Sequence, residues 1–338
     1  MYQFLGIGIY YAQNLGTIVR DLCDIKANGC NTVPRVTEKI VEGIMKEGAK
    51  FTGLKKKMFD KAVELGRRFE HNNANGWFYN LELKVLDKYV YKHWREDFFG
   101  GEMKFLGCGG AAISPNLSRM LWAAGIKVCE GYGLTETSPI IAHADINHHR
   151  FSSVGPVVSN ETVKIDEEDG EILVKGPNVM KGYYMKPELT KEVIDEDGWL
   201  HTGDIAHIDK DGYIFITGRI KNMIVLSGGK KVFPEEVENV METSEHFKEL
   251  CVFGTKRKGG QKDGSEDVTI AVVPKDEWVE GLSDEEALEK IKKEVKRLSQ
   301  RLSHFKRPVN VFLSREPFPR TATTKIKRNE VKARYKDL

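Results

Sequence analysis

The sequence predicts an α/β fold in two domains, 1–218 and 219–338. The first divides into an α/β part (1–150) and a β-rich subdomain (151–218). Three observations predict this. From Gly101 onward, short apolar runs are punctuated by glycine (MKFLGCGGAAIS, GIKVCEGYGLTETSP), the texture of strand–loop–helix units. Next, TVKIDEEDGEILVKG and HIDKDGYIFITG each set an Asp-Gly turn between alternating runs, a strong hairpin signal. Beyond Arg219, glycine loops, strands and capped helices alternate in a smaller α+β pattern.

The elements follow in order. Phe4, Leu5, Ile7, Ile9, Tyr10 and Tyr11 crowd the first residues, where frayed polar residues are usual. They read either as a strand tucked into a core or as the interior of a larger domain. Pro34 and Thr37 precede a helical stripe of Ile40, Val41, Ile44 and Met45, ended by Gly48. A second stripe joins Leu54, Met58, Phe59, Val63 and Phe69, opposite a solvated face carrying Lys55, Lys56, Lys57, Arg67 and Arg68. After the hairpins comes the loop Ser227-Gly228-Gly229, then a helix opening at Pro234-Glu235-Glu236 and strands near 249–254 and 267–274. Ser283-x-x-Glu286 is a capping box, and Leu288, Ile291, Val295, Leu298, Leu302 and Phe305 continue at core spacing.

Composition narrows the function. Of 338 residues, 40% are hydrophobic and 30% charged, enough apolar content for real cores. A net charge of +2 does not suggest a dedicated nucleic-acid binder. Five cysteines, without a CxxC pair, favour reduced thiols in a cytoplasm over disulfides or a zinc ribbon. The longest apolar run, Phe4 to Ala12, is far short of the roughly 20 residues that cross a bilayer. No segment shows the apolar bulk of an interfacial anchor, so any membrane contact is expected to be loose. His143, His148 and His149 lack companion ligands and read as an exposed loop.

Four segments carry chemistry. Gly109, Gly110 and Ala111 follow the run Met103–Leu106, where small residues let a flat ligand approach the backbone or make a tight packing turn. Glu130, Gly131, Tyr132, Gly133, Thr135 and Glu136 offer donors for phosphate, a ring for a base and a carboxylate for magnesium. The alternative there is a turn capped by Thr135. Asp204 ends the run WLHTGD and Arg219 ends GYIFITGR: a ribose-binding acid with an arginine helper, or simply an ion pair. Lys325 lies in PRTATTKIKR, where a flexible cation suits a developing oxyanion. Its neighbours Lys327, Arg328, Lys332 and Arg334 read as a generic basic tail, in a stretch (284–338) with 16 basic side chains against 8 acidic.

GYGLTET, WLHTGD, GYIFITGR and PRTATTK, in that order, resemble the adenylate-forming enzymes: acyl-CoA synthetases, luciferases and adenylation domains. NTVPRVTEKIVEGI, FLGCGGAAISPNL and KNMIVLSGGKKVFPEEVE are most similar to long-chain fatty acyl-CoA synthetases, and the resemblance covers essentially the whole chain. It implies a large N-terminal domain, of which residues 1–218 are the C-terminal part, followed by a small mobile domain. It implies ATP-dependent activation of a fatty acid to acyl-AMP, then transfer to coenzyme A. Gly109 to Ala111 and Tyr132 would border adenine, with Glu130 in place of a residue that is often glutamine next to it; Thr135 would touch the α-phosphate and Glu136 hold Mg2+. Asp204 and Arg219 would hold the ribose, Lys221 act as hinge, and Gly228 and Gly229 line the pantetheine path. Lys325 would be the adenylation lysine.

The family's glycine-rich phosphate loop does not occur in these 338 residues, and Thr324 replaces the glycine usual before the lysine. Met1 aligns with the interior of the family's N-terminal domain, so a separate N-terminal chain is an expected partner. The competing expectations are a carrier-loading adenylation domain and a fragment that only binds nucleotide.

Overall fold

The computed structural model describes residues 4–256, 265–321 and 325–335. The chain divides into two compact units, one of residues 1–161, 176–181 and 209–214, the other of 162–175, 182–208 and 215–338.

The first unit is built on a short parallel sheet. Helix α1 (Ile18–Ile25) leads into strand β1 (Gly29–Thr32), and α2 (Pro34–Ala49) follows with proline in its first turn, where a missing N–H is harmless. α2 buries Ile40, Val41 and Ile44, and α3 (Gly53–Arg67) buries Phe59, Ala62, Val63 and Leu65. Leu54, read as part of that stripe, is instead exposed, because it lies in the first turn of α3, ahead of the buried segment.

Next comes a 23-residue helical rod: α4 (Trp77–Leu86), a π turn (Asp87–Tyr91) and α5 (Lys92–Phe99). Its inner face buries Tyr79, Leu86, Val90, Tyr91, Trp94 and Phe99. The two buried tyrosines place their hydroxyls on carbonyls of α3, Tyr79 on Leu65 at 2.7 Å and Tyr91 on Ala62 at 2.8 Å. Strand β2 (Phe105–Gly109), α6 (Pro115–Ala123) and β3 (Lys127–Tyr132) complete the layer. β1, β2 and β3 run parallel, with Cys30 opposite Leu106 and Leu106 opposite Val128. Strand β4 (Ala142–His143) returns antiparallel to β3. Strand β5 (Gly155–Pro156) pairs with Tyr213 and Ile214.

The histidine loop departs from expectation. His143 and His148 are exposed, but His149 is buried, with Nδ1 3.0 Å from Nε2 of His71. His71 stacks on Phe151, and Trp122 closes the group at 4.7 Å from each histidine ring. Burial, then the neighbouring His71 and Arg119, push His149 down to about 4.

In the second unit, β6 (Thr162–Ile165) and β7 (Glu171–Lys175) form the expected hairpin, closed by Asp166 and Gly170. After α7 (Pro187–Lys191), β8 (Leu200–Ile208) pairs antiparallel with β7. Strand β9 (Tyr213–Arg219) begins in the first unit and ends in the second, where Thr217 donates to the Ile205 carbonyl at 3.3 Å. A small hairpin, β10 (Ile224–Val225) and β11 (Lys231–Val232), precedes α8 (Pro234–Met241). β12 (Phe247–Lys256) and β13 (Glu266–Pro274) are antiparallel. The chain then passes through α9 (Asp276–Val279) and α10 (Asp284–Ser299) to β14 (Asn310–Leu313), parallel to β13, and ends in α11 (Arg328–Arg334).

The capping box forms, Glu286 N–H donating to Ser283 Oγ at 3.2 Å and Ser283 N–H to Glu286 Oε2 at 2.9 Å. Val237, Met241, Val252, Ile270, Val272, Ile291, Val295 and Leu298 make the core here.

Candidate functional site

Parallel strands bring their carboxyl ends to one edge, where ligands of open α/β sheets bind. In the first unit that edge gathers two of the predicted segments. Gly109 lies opposite Gly131, and Cys108 opposite Glu130. Gly110 takes φ +81°, which turns the chain away from the sheet, and Ala111 is exposed. Gly131 and Tyr132 end β3 half-buried.

Gly133 allows a backbone crossing: a Cβ there would lie 1.7 Å from the Pro139 carbonyl oxygen. Residues 135–137 form a 3-10 turn. Its cap is Thr137, fully buried, whose Oγ1 accepts from Leu134 N–H at 3.0 Å. The alternative role foreseen for Thr135, capping this turn, therefore falls to Thr137. Thr135 is exposed and Glu136 half-buried, while Met180 N–H donates to the Glu136 carbonyl at 2.8 Å and steadies the turn.

Glu130 is the unusual group. It is 7% exposed, and its Oε1 has no hydrogen-bond partner. Burial pushes the carboxyl up to about 8, so at neutral pH it is mainly an uncharged acid holding a proton. The adjacent thiols are unreactive: burial raises Cys108 to about 12 and Cys129 to about 11.

The second unit holds the other segments. Asp204, on β8, is buried, and its carboxylate takes the Arg219 guanidinium from the end of β9, Nη2 lying 3.4 Å from Oδ2. Lys221 is exposed in the 3-10 turn Ile220–Asn222. Gly228 and Gly229 form the tip of the β10–β11 hairpin at φ +81° and +75°. Lys325 is exposed on a small loop. Thr321 N–H donates to its carbonyl at 2.8 Å, its own N–H donates to Thr321 Oγ1 at 3.1 Å, and Arg320 bridges Ile326. Thr324 lies outside the described residues.

Sequence reasoning missed what holds that loop. Arg328, read as part of a basic tail, is four-fifths buried: it bonds Glu238 Oε2 at 3.0 Å, Glu235 Oε1 at 3.2 Å and the Val252 carbonyl. Asn222, next to Lys221, donates to the same Glu235 oxygen at 2.7 Å. Lys332 also pairs, with Glu266 at 2.7 Å. The signal was the i, i+3 spacing of Glu235 and Glu238 on α8, two acids on one face awaiting a cation.

Gly109, Gly131 and Glu130 at the strand ends of the first unit, and the Asp204–Arg219 pair in the second, are carried by an α/β protein. The chain belongs to the AMP-binding enzymes: that family's model matches residues 6–184 and the model of its C-terminal domain matches 221–338. Among its relatives is the peroxisomal long chain acyl-CoA synthetase 6 of Arabidopsis thaliana, 31% identical over 75% of this chain and 37% of that protein. The long-chain-fatty-acid–CoA ligase of Salmonella typhimurium is 35% identical over 67% of this chain and 40% of its own length. The chain thus spans about two fifths of these curated relatives.

Among solved structures, ATP-bound MatB from Rhodopseudomonas palustris matches 76% of this chain and 50% of its own, at 28% identity and TM-score 0.60. The o-succinylbenzoate CoA synthetase of Bacillus subtilis, in complex with its acyl-adenylate, covers 98% of this chain and 56% of its own at TM-score 0.67; at 20% identity it speaks for the fold alone. The α/β fold expected from the motifs is therefore the fold found.

Proposed function

We propose that this chain is the adenylating and hinge-bearing part of a long-chain fatty acid–CoA ligase. The observation that carries the reading is the pairing of Gly109 with Gly131 at the carboxyl ends of β2 and β3, beside the neutral Glu130. Two strands without side chains at that edge suit a flat base, and the orphaned Glu130 oxygen suits a purine edge with its own donors and acceptors. Asp204, oriented by Arg219, is suited to the two ribose hydroxyls. For Mg2+, the described residues contain no cluster of three or more ligating side chains. A lone carboxylate, Glu136, fits an ion held otherwise by phosphate oxygens and water, and bound there magnesium would neutralise phosphate charge.

In this reading a carboxylate oxygen of the fatty acid attacks the α-phosphorus of ATP. The bond to the β-phosphate oxygen breaks, and pyrophosphate leaves with the electron pair. The thiolate of coenzyme A then attacks the acyl carbon and AMP departs. Thr135 donates to the α-phosphate and Lys325 offsets the charge on the carboxylate and phosphate oxygens in the first step. Lys221 is the pivot about which the domain of residues 219–338 swings away from the domain of 1–218, and Gly228 and Gly229 then face the pantetheine arm. The β- and γ-phosphates need donors that residues 1–338 do not supply, and a fatty-acid substrate brings the enzyme against a membrane surface.

Lys325→Ala, in an enzyme that includes the β- and γ-phosphate donors, is expected to lose roughly 2–4 kcal/mol of transition-state stabilisation in adenylation while thioester formation from preformed acyl-AMP is spared. Rapid-quench assays of each half-reaction measure this, and equal damage to both would refute the assignment. Residues 1–338 alone are expected to bind AMP weakly and to make no palmitoyl-CoA from palmitate, ATP and magnesium; calorimetry and a thioester assay check the pair. Robust turnover by residues 1–338 alone would show that they supply those donors themselves.

A further inference from the structure

The helical rod of α4, the π turn and α5 has a second face. Trp77 and Phe78 are about two-thirds exposed, and Leu81, Val85 and Tyr89 about half. At roughly 100° per residue, Trp77, Leu81, Val85 and Tyr89 follow one stripe along the rod. Lys84, Lys88 and Lys92, all exposed, run beside it at the same spacing of four. The face is about 22 Å long from Trp77 to Lys92. Its ends carry aromatic rings: Trp77 and Phe78 stack at 3.8 Å, and the Lys88 ammonium lies 5.5 Å over Tyr89.

Glu82, Glu96 and Asp97 are the exposed acids of the rod, and Glu96 is already matched by Lys92 at 3.7 Å. Asp87 turns to Arg95 at 2.6 Å. Read linearly, the segment shows no interfacial apolar bulk. The rod buries one apolar face and still presents another, which a linear pattern does not separate.

We propose that this face docks in the plane of a bilayer rich in anionic phospholipid. Protein–protein interface cores are depleted in lysine, whereas here lysine alternates with aromatic and aliphatic side chains along the whole stripe. At a lipid surface that alternation is productive. Trp and Tyr settle at headgroup depth, and lysine stems lie on apolar surface while their ammonium groups reach phosphate. No helix among the described residues is long and apolar enough to cross a membrane, so the rod lies along the surface instead of through it. This deepens the membrane contact of the proposed function by naming the surface, and it is tested without turnover, so the two readings fail separately.

The test is co-sedimentation of the full chain with vesicles of phosphatidylcholine alone or with about one third phosphatidylserine. Binding is expected to the anionic vesicles and to be at least tenfold weaker to the neutral ones. Lys84→Gln, Lys88→Gln and Lys92→Gln together should lower anionic binding on the order of 100-fold, about fivefold per charge. Trp77→Gln with Phe78→Gln should lower it at least tenfold, and Lys55→Gln with Lys57→Gln on α3 should leave it unchanged. Equal loss in the α3 variant would reduce the effect to overall charge and overturn the proposal. So would a wild type that ignores vesicles but self-associates in sedimentation velocity through Trp77 and Phe78, since the occupant would then be a second copy.

Discussion

The two units treat buried acids in opposite ways. In the second, Asp204, Glu235 and Glu238 each face an arginine, and Glu238 also accepts from Val252 N–H at 2.8 Å. In the first, Glu130 is buried more deeply than Glu235 or Glu238 and burial alone shifts it, although it shares with Glu235 one oxygen without a hydrogen-bond partner. A clamped acid fixes a loop: Glu235 and Glu238 tie Arg328, and so the Lys325 loop, to α8. An unclamped one keeps its proton. The contrast is one of surroundings, since all of these are carboxyls.

Removing the clamp should have the largest effect. Arg328→Met leaves Glu235 and Glu238 without their cation and should cost the second unit about 3 kcal/mol, read from urea unfolding. Burial already pushes the Glu235 carboxyl up against the pull of Arg328, so the loss should ease as pH falls and Glu235 takes up a proton. A variant as stable as wild type would erase the contrast.

Glu130 should behave with the opposite sign. Its folded value of about 8 stands above the 4.5 of a free carboxyl, so its contribution to stability is full below pH 4.5 and is lost as pH rises through 8. Glu130→Gln should remove that slope, the two proteins diverging by up to about 1.4 kcal/mol per pH unit in between. Thermal melts from pH 4.5 to 8.5 measure it; parallel curves would mean the acid is ionised in the fold.

The smallest effect belongs to His149. Its folded value of about 4 lies below 6.5, so the neutral ring's contribution is present above pH 6.5 and lost as pH falls through 4. His149→Phe should retain about 2 kcal/mol more stability at pH 5 than wild type, relative to their difference at pH 7.5. Equal acid sensitivity would show that the His71 pairing does not govern it.

What could be read in advance was local. The Asp166–Gly170 turn, the Ser283 box and the glycine string 131–133 each announce themselves within a few residues, because turn and cap chemistry is short-range. The partners that matter most are distant: His149 lies 78 residues from His71, and Arg328 lies 90 from Glu238. Neither pairing leaves a periodic trace, so His149 read as a solvated loop and Arg328 as a tail. The outer face of α4 escaped for another reason: apolar spacing gives the period of a helix but not how many of its sides are covered.

The crossing at Gly133 has a consequence for how this gene can vary. With the Pro139 carbonyl oxygen 1.7 Å from where a methyl group would stand, the smallest possible change, to alanine, already demands a displaced backbone. Every missense change in a glycine codon adds at least that carbon. In a library covering all codons under selection for a folded product, position 133 should return glycine alone, while Gly110, with nothing within 4 Å, should admit residues that tolerate a left-handed turn, such as asparagine.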